Sequence, residues 1–192
     1  SDGSVVAIGA LFADDRAGHV RVYAWDGSSW VQRGEDVDGE AAGDISGISV
    51  SLSSDGQFVA IGALLNDGNG VDSGHVRVFG WDGSNWTQRG EDIDGVAAGD
   101  RSGYRAICSD GSIVAIGGRF NDGNGDDSGH VRIYSWDGNS WTQLGEDIDG
   151  EAEGDQAYLR SLSSDGSIVA IGAPSNDGNG DDTFTIEVAD NV

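Results

Sequence analysis

Apolar and polar residues alternate along this chain in short runs that return at a fixed interval. From Ile48 to Leu52 the order is apolar, polar, apolar, polar, apolar; Ser53-Ser54-Asp55-Gly56 interrupts it, and Phe58-Val59-Ala60-Ile61 follows as one apolar run. Period-two alternation marks a half-buried strand, and a short apolar run between turn residues marks a fully buried one, so the segment predicts a hairpin. A polar loop from Asn66 to Gly74 leads into His75-Val76-Arg77-Val78-Phe79-Gly80-Trp81, which alternates again. Asp82-Gly83-Ser84-Asn85 then turns the chain into Trp86-Thr87-Gln88-Arg89. The stretch from Glu91 to Gly103 reads as an acidic, glycine-bearing connection.

The whole pattern repeats. Ser-Asp-Gly followed by an apolar run recurs with its Asp at Asp2, Asp55, Asp110 and Asp165, at spacings of 53, 55 and 55 residues. Four antiparallel strands (a to d) per unit of about 55 residues predict an all-β protein built of β-propeller blades. A solenoid is the alternative, but parallel β-helix repeats are much shorter and no 3.6-residue periodicity is present. The units fall at 1–44, 45–100, 101–155 and 156–192 of one repeat domain, about three and a half blades: b, c and d first, two whole units, then a, b and a possible c.

At this point the residues resemble a known family. Ser46-Gly47 before strand a, Gly62-Ala63 after strand b and Gly172-Ala173-Pro174 are similar to the FG-GAP repeats of integrin-type propellers. The resemblance implies an extracellular or cell-surface propeller of about seven blades, often loaded with calcium and engaged in adhesion or ligand binding. The family places its cation loop between strands a and b, where this chain has only the tight Ser-Asp-Gly turn, so that site does not carry over.

Composition narrows the function classes. The net charge is −24, with no Lys and with Arg as the only basic residue. Such a field repels phosphate backbones and anionic lipid, which argues against nucleic acid and favours cations and basic partners. It also fits plain solubility of a repetitive β-protein. No apolar run approaches the roughly 18 residues of a membrane span, so no membrane insertion is expected. Cys108 is the only cysteine, which excludes an internal disulfide and a zinc–cysteine cluster. The chain has no Met, so Ser1 reads as the start of a processed product or of a piece of something longer.

In a four-stranded blade the b–c loop and the d–a connection emerge on one face. In the second unit that face receives Asp67, Asp72, Glu91, Asp92, Asp94 and Asp100, and the other only Asp55 and Asp82, which predicts one strongly acidic face. The b–c loops offer Asp67, Asn69 and Asp72; Asp122, Asn124, Asp126 and Asp127; and Asp177, Asn179, Asp181 and Asp182. Alternating Asp and Asn with glycines supply the hard oxygens that calcium prefers, although Asx-glycine turns use the same residues without an ion. In the first unit Asp14-Asp15-Arg16 puts an arginine there. Glu35 to Asp38, Glu91 to Asp94 and Glu146 to Asp149 form a second set of clustered carboxylates.

Trp25/Trp30, Trp81/Trp86 and Trp136/Trp141 flank the c–d turns with four residues between. That spacing places the indoles opposite each other as hairpin staples, and exposed pairs can also stack on sugar rings. His19, His75 and His130 hold one equivalent position in successive units, which predicts that they do not converge on a shared site. Arg105 and Arg160 stand where the second unit has Val50, as candidates for an anion or sugar acid or as partners of carboxylates. With no nucleophile elbow and no phosphate loop, the sequence supports a non-enzymatic module with a calcium-stiffened acidic face. A carbohydrate-binding propeller and a polysaccharide-acting enzyme are the alternatives. Since the first unit lacks strand a and the last lacks the Trp-bearing d strand, completion is expected from other copies of the chain, from blades of a longer polypeptide, or from the two ends meeting.

Overall fold

In a computed structural model the protein is all-β, and residues 3–176 and 183–190 are described. The first sheet holds β1 (Val5–Ala10), β2 (His19–Trp25) and β3 (Trp30–Gln32), with β4 (Val37–Asp38) also paired to β2. The second runs β5 (Ser46–Leu52), β6 (Phe58–Ala63), β7 (His75–Trp81) and β8 (Trp86–Gln88), with β9 (Ile93–Asp94) paired to β7. The third repeats it as β10 (Ser102–Cys108), β11 (Ile113–Gly118), β12 (His130–Trp136) and β13 (Trp141–Gln143), with β14 (Ile148–Asp149) on β12. The fourth holds β15 (Tyr158–Leu162), β16 (Ile168–Asn176) and β17 (Thr183–Asp190). All strand pairs within the sheets are antiparallel; they follow chain order, as short turns require, except that β4, β9 and β14 pair with the strand two before. Among the described residues no helix is long and apolar enough to cross a membrane.

Alternation along each inner strand explains how the sheets stack. In β6, Val59 and Ile61 point to the first sheet and join Val20, Val22, Val37 and Phe79. The intervening Ala60 points to the third sheet, where Val76, Val78 and Ile93 meet Ala106, Val114, Ile116 and Tyr134. A third cluster joins Val131 and Ile133 to Leu159, Val169 and Ile171. Each core therefore lies between consecutive sheets, and inner strands are buried on both faces, which is why Phe58 to Ile61 reads as an apolar run.

The small residues of the repeat have the complementary task. A side chain on Gly62 would overlap the backbone carbonyl of Gly103, and one on Gly9 that of Gly47. The Gly-Ala and Ser-Gly pairs singled out in the sequence are thus the two halves of one back-to-back contact between adjacent sheets. Strand β5 reaches it through a register shift between Ser46 and Ser49, with Gly47 at φ 90°. At the third joint, Tyr158 stands where the earlier units have Gly47 and Gly103, and Gly117 packs instead on the Leu159 backbone.

Three carboxylates at equivalent positions, one of them the Asp100 expected on the acidic face, are interior. Asp44, Asp100 and Asp155 are buried, and each accepts the side-chain amide of a b–c loop asparagine: Asn66 at 2.9 Å, Asn121 at 3.2 Å and Asn176 at 3.0 Å. Asp100 also accepts the Val96 and Ala97 backbone N–H groups. This corrects the placement of Asp100 in the acidic surface, because buried carboxylates need such donors.

We expect Gly62→Ala to destabilise the protein by about 1–3 kcal/mol, since the added carbon has no space that side-chain repacking can open. Denaturant unfolding of the variant beside the parent chain measures it.

Candidate functional site

The outer strand of each of the first three sheets is broken at one place, and the break builds the site. Between Gln88 and Ile93 the outer strand has four residues where β7 has only Arg77 and Val78. Arg89 still donates its N–H to the Val78 carbonyl at 2.7 Å, so Gly90, Glu91 and Asp92 bulge out before the ladder resumes. The stretch expected to be connection from Glu91 onward is therefore in part still strand: Asp94 lies opposite His75, Asp38 opposite His19 and Asp149 opposite His130. A two-residue segment after a bulge leaves no periodic trace in a single sequence.

Carboxylates of the bulge and of neighbouring loops gather at the histidine that opens β2, β7 and β12. His130 is 0% exposed and its Nδ1 lies 3.3 Å from Asp147 Oδ2. His75 is 1% exposed, with Nδ1 3.7 Å from Asp92 Oδ2 and 3.9 Å from Glu40 Oε2. His19 Nδ1 lies 3.6 Å from Asp14 Oδ2. Among the described residues, neither ring nitrogen of His75 or His130 has a hydrogen-bond partner. Burial pushes the His130 imidazole below its usual pKa and Arg132 adds to this, while Asp147, Asp100 and Asp149 oppose it; burial dominates at His75 too. The three histidines do not converge, in accord with their spacing. The sequence reading missed that each collects its own carboxylates, although the recurring offset between the His and the Glu-Asp-x-Asp run carried that signal.

The carboxylates are held from behind. Gln88 Nε2 and Gln143 Nε2 donate at 2.7 Å to Asp92 Oδ1 and Asp147 Oδ1. In the first sheet Gln32 does the same for Asp36, which Arg21 also grips at 2.8 Å. Arg21 first, then Gln32, holds the Asp36 carboxyl at about 2 against the effect of burial.

In the b–c loops the candidate calcium ligands hold the loop closed among themselves. Asp67 Oδ1 accepts the Asp72 N–H and Asp122 Oδ1 the Asp127 N–H, both at 2.8 Å. Asn69 donates its amide to the carbonyls of Gly95 and Val96, and Asn124 to those of Gly150 and Glu151. Asp126 lends its backbone carbonyl to the Gly154 N–H. The remaining carboxylate oxygens are of the hard type that fits calcium, but the asparagine amides are directed at carbonyls. Asp177, Asn179, Asp181 and Asp182 lie outside the described residues.

The tryptophans sit opposite each other as the spacing requires, with ring centroids 5.4 Å apart for Trp81/Trp86 and 5.2 Å for Trp136/Trp141. They also join sheets. Arg33 of the first sheet lies 4.5 Å over the Trp81 ring, and Trp86 Nε1 donates to the Arg33 carbonyl at 2.8 Å. Arg89 lies 4.7 Å over Trp136, and Trp141 donates to its carbonyl at 2.7 Å. Beside this second joint, Glu91, Asp92, Asp94, Tyr134, Asn139 and Trp141 line a cleft of about 630 Å³. The other two candidates stand apart from it: Arg105 is exposed beside Tyr104 in a cleft with Ser49 and Val50, and Arg160 lies 4.4 Å over the Tyr158 ring.

No protein-family model and no curated protein matches the chain. Among solved structures it is similar to an acylaminoacyl peptidase in complex with Z-Gly-Gly-Phe-chloromethyl ketone, at 12% identity and a TM-score of 0.51, over 98% of this chain and 29% of that one. The fold is propeller-like. At this identity the likeness shows the fold alone, and the chain spans less than a third of the peptidase's length. The comparison corrects the expectation of a non-enzymatic module: a hydrolase carries this fold, so an all-β array of such sheets is no ground for setting the chain apart from enzymes.

The turns between the tryptophans give a pH test. Asp82 Oδ1 accepts the backbone N–H groups of Asn85 and Ser84, both at 2.8 Å, and these donors hold its carboxyl at about 2. With an unfolded value of about 3.9, the turn's contribution is complete above that pH and is lost as pH falls towards 2. We expect the Asp82 carboxyl to titrate about two units below a free aspartate by NMR, and Asp82→Asn to remove that part of the acid sensitivity of the melt.

Proposed function

We propose that the chain is a binding and assembly module: about three and a half propeller blades that add further blades of the same design, and so build a propeller of the kind a hydrolase carries. The observation behind this reading is the uncovered leading face of the first sheet. Val6, Ile8, Tyr23 and Trp30 line an apolar recess of about 290 Å³. Their equivalents in the second sheet are Val59, Ile61, Phe79 and Trp86, packed against the sheet before them. Ile8 is 53% exposed where Ile61 is 1% exposed. A surface of core composition left open marks an interface.

The occupant we favour is the trailing face of a second copy. Val5, Phe58 and Ile113 pack on the turn glycines Gly56, Gly111 and Gly166 of the sheet that follows each. Ile168, next in that series, is 42% exposed, and Gly3, the turn glycine of the first sheet, has open space beside it. Joining Ile168 of one copy to Gly3 of another continues the same head-to-tail step, which closes as a ring or extends as a chain. The acidic face takes cations in this reading, calcium at the b–c loops among them, because a cation relieves clustered like charge. FG-GAP kinship and a place outside the cell belong to the proposal and rest on the glycine motifs.

Sedimentation velocity over a wide concentration range tests the reading. The parent chain should associate progressively, and Ile8→Glu and Ile168→Glu should each be monomeric with unchanged melting, since both positions are exposed. An equimolar mixture of the two variants, with one intact face each, should stop at a dimer. A parent chain that stays monomeric throughout, or variants that associate like the parent, would overturn it.

A further inference from the structure

The histidine–carboxylate groups bring together nitrogen and oxygen donors of the kinds that can hold a metal ion. An imidazole buried with both nitrogens unpartnered is costly unless something supplies the missing bond. His130 is in that state with its Nδ1 turned towards Asp147. One ligand atom from each of His130, Asp147 and Asp149 lies within 4.8 Å of the others. The 3.3 Å from His130 Nδ1 to Asp147 Oδ2 matches the separation of about 3.3 Å that two ligands have across a tetrahedral ion with bonds of about 2.0–2.1 Å.

We propose that His130, Asp147 and Asp149 bind one divalent cation of borderline character, of the zinc, manganese or cobalt(II) class. One nitrogen and two carboxylate oxygens suit such an ion better than calcium or magnesium, which favour oxygen alone. Three features prepare the site. The bulge sets Asp147 and Asp149 two residues apart on the side of the histidine, so the ligands come from facing strands of one rigid sheet. Gln143 holds Asp147 Oδ1 at 2.7 Å and leaves Oδ2 for the ion, the outer-shell support that orients a ligand. Gly123 makes room for Asp149, since a Cβ there would stand 2.8 Å from its Oδ1.

The second sheet has a modified version, His75 with Asp92 and Glu40, in which Arg77 lies 3.5 Å from Glu40. In the first sheet Arg21 takes Asp36, the counterpart of Asp147. Among the described residues no arginine bridges Asp147 or Asp149 at ion-pair distance, so the third sheet carries the strongest site. Asp147 is 34% exposed, which leaves coordination positions for water or for a ligand entering from solvent, the arrangement of an open site.

Cobalt(II) titration of the full chain, in excess calcium to occupy the acidic surface, tests this by visible absorption. One strong equivalent should bind, with the intense ligand-field bands of four- or five-coordination, and zinc should displace it. Gln143→Met should weaken binding about tenfold, as loss of outer-shell support does. Asp147→Asn with Asp149→Asn should weaken it further, and both substitutions leave the buried imidazole and the metal-free melt intact. Unchanged affinity in the double variant, or only the weak bands of the hydrated ion, would overturn the proposal.

Discussion

How closely one sheet can approach the next governs the rest of this protein. The cores lie between sheets, so their apolar burial exists only where the facing backbones come close enough for the side chains to interdigitate. Gly9 against Gly47 and Gly62 against Gly103 set that distance at one end of the joint. At the other end, an arginine from one sheet lies over the tryptophan pair of the next, and an indole N–H returns a hydrogen bond to that arginine's own carbonyl. An arginine with its charge spread over a planar group can be half-buried on aromatic faces where a lysine would stay hydrated, which gives a physical reason for the chain's exclusive use of arginine at these joints.

A net charge of −24 works against any compact state, and the structure disposes of its carboxylates in distinct ways. Asp44, Asp100 and Asp155 go inside, each latched to an asparagine of a loop. Asp82 takes backbone donors in a turn, and Asp36 takes an arginine and a glutamine. The carboxylates around His75 and His130 are different: they are gathered, braced by glutamines, and aimed at buried rings whose nitrogens have no hydrogen-bond partner among the described residues. Such a grouping is expensive to keep as packing alone, and it is here that the repeat departs from architecture towards chemistry.

Much of the fold was legible because its signals are local. Ser-Asp-Gly turns, a strand from His75 to Trp81 and tryptophans with four residues between them each follow from neighbouring residues, and the structure has all three, although that strand is buried from His75 to Phe79 rather than on one face alone. What was hidden depends on long-range pairing. The bulge at Gly90 to Asp92 returns Asp94 to the sheet beside His75, and no periodicity in Glu91 to Gly103 announces it. Asp100 looked like one more surface acid, since only the packing of Asn121 beside it makes it interior. The spacing of the histidines around the repeat excludes a shared site but says nothing of the carboxylates that each one faces.

The joint between sheets holds the fold together, and a double-mutant cycle where the second sheet meets the third tests that directly. Arg89→Met keeps the aliphatic stem and the carbonyl that receives the Trp141 N–H; Trp136→Leu removes the ring beneath the guanidinium. Denaturant unfolding of both single variants and the double variant should give a coupling of about 0.5–2 kcal/mol. Additivity within about 0.3 kcal/mol would mean that the arginine and the ring contribute independently, and would contradict the claim that this contact holds one sheet to the next.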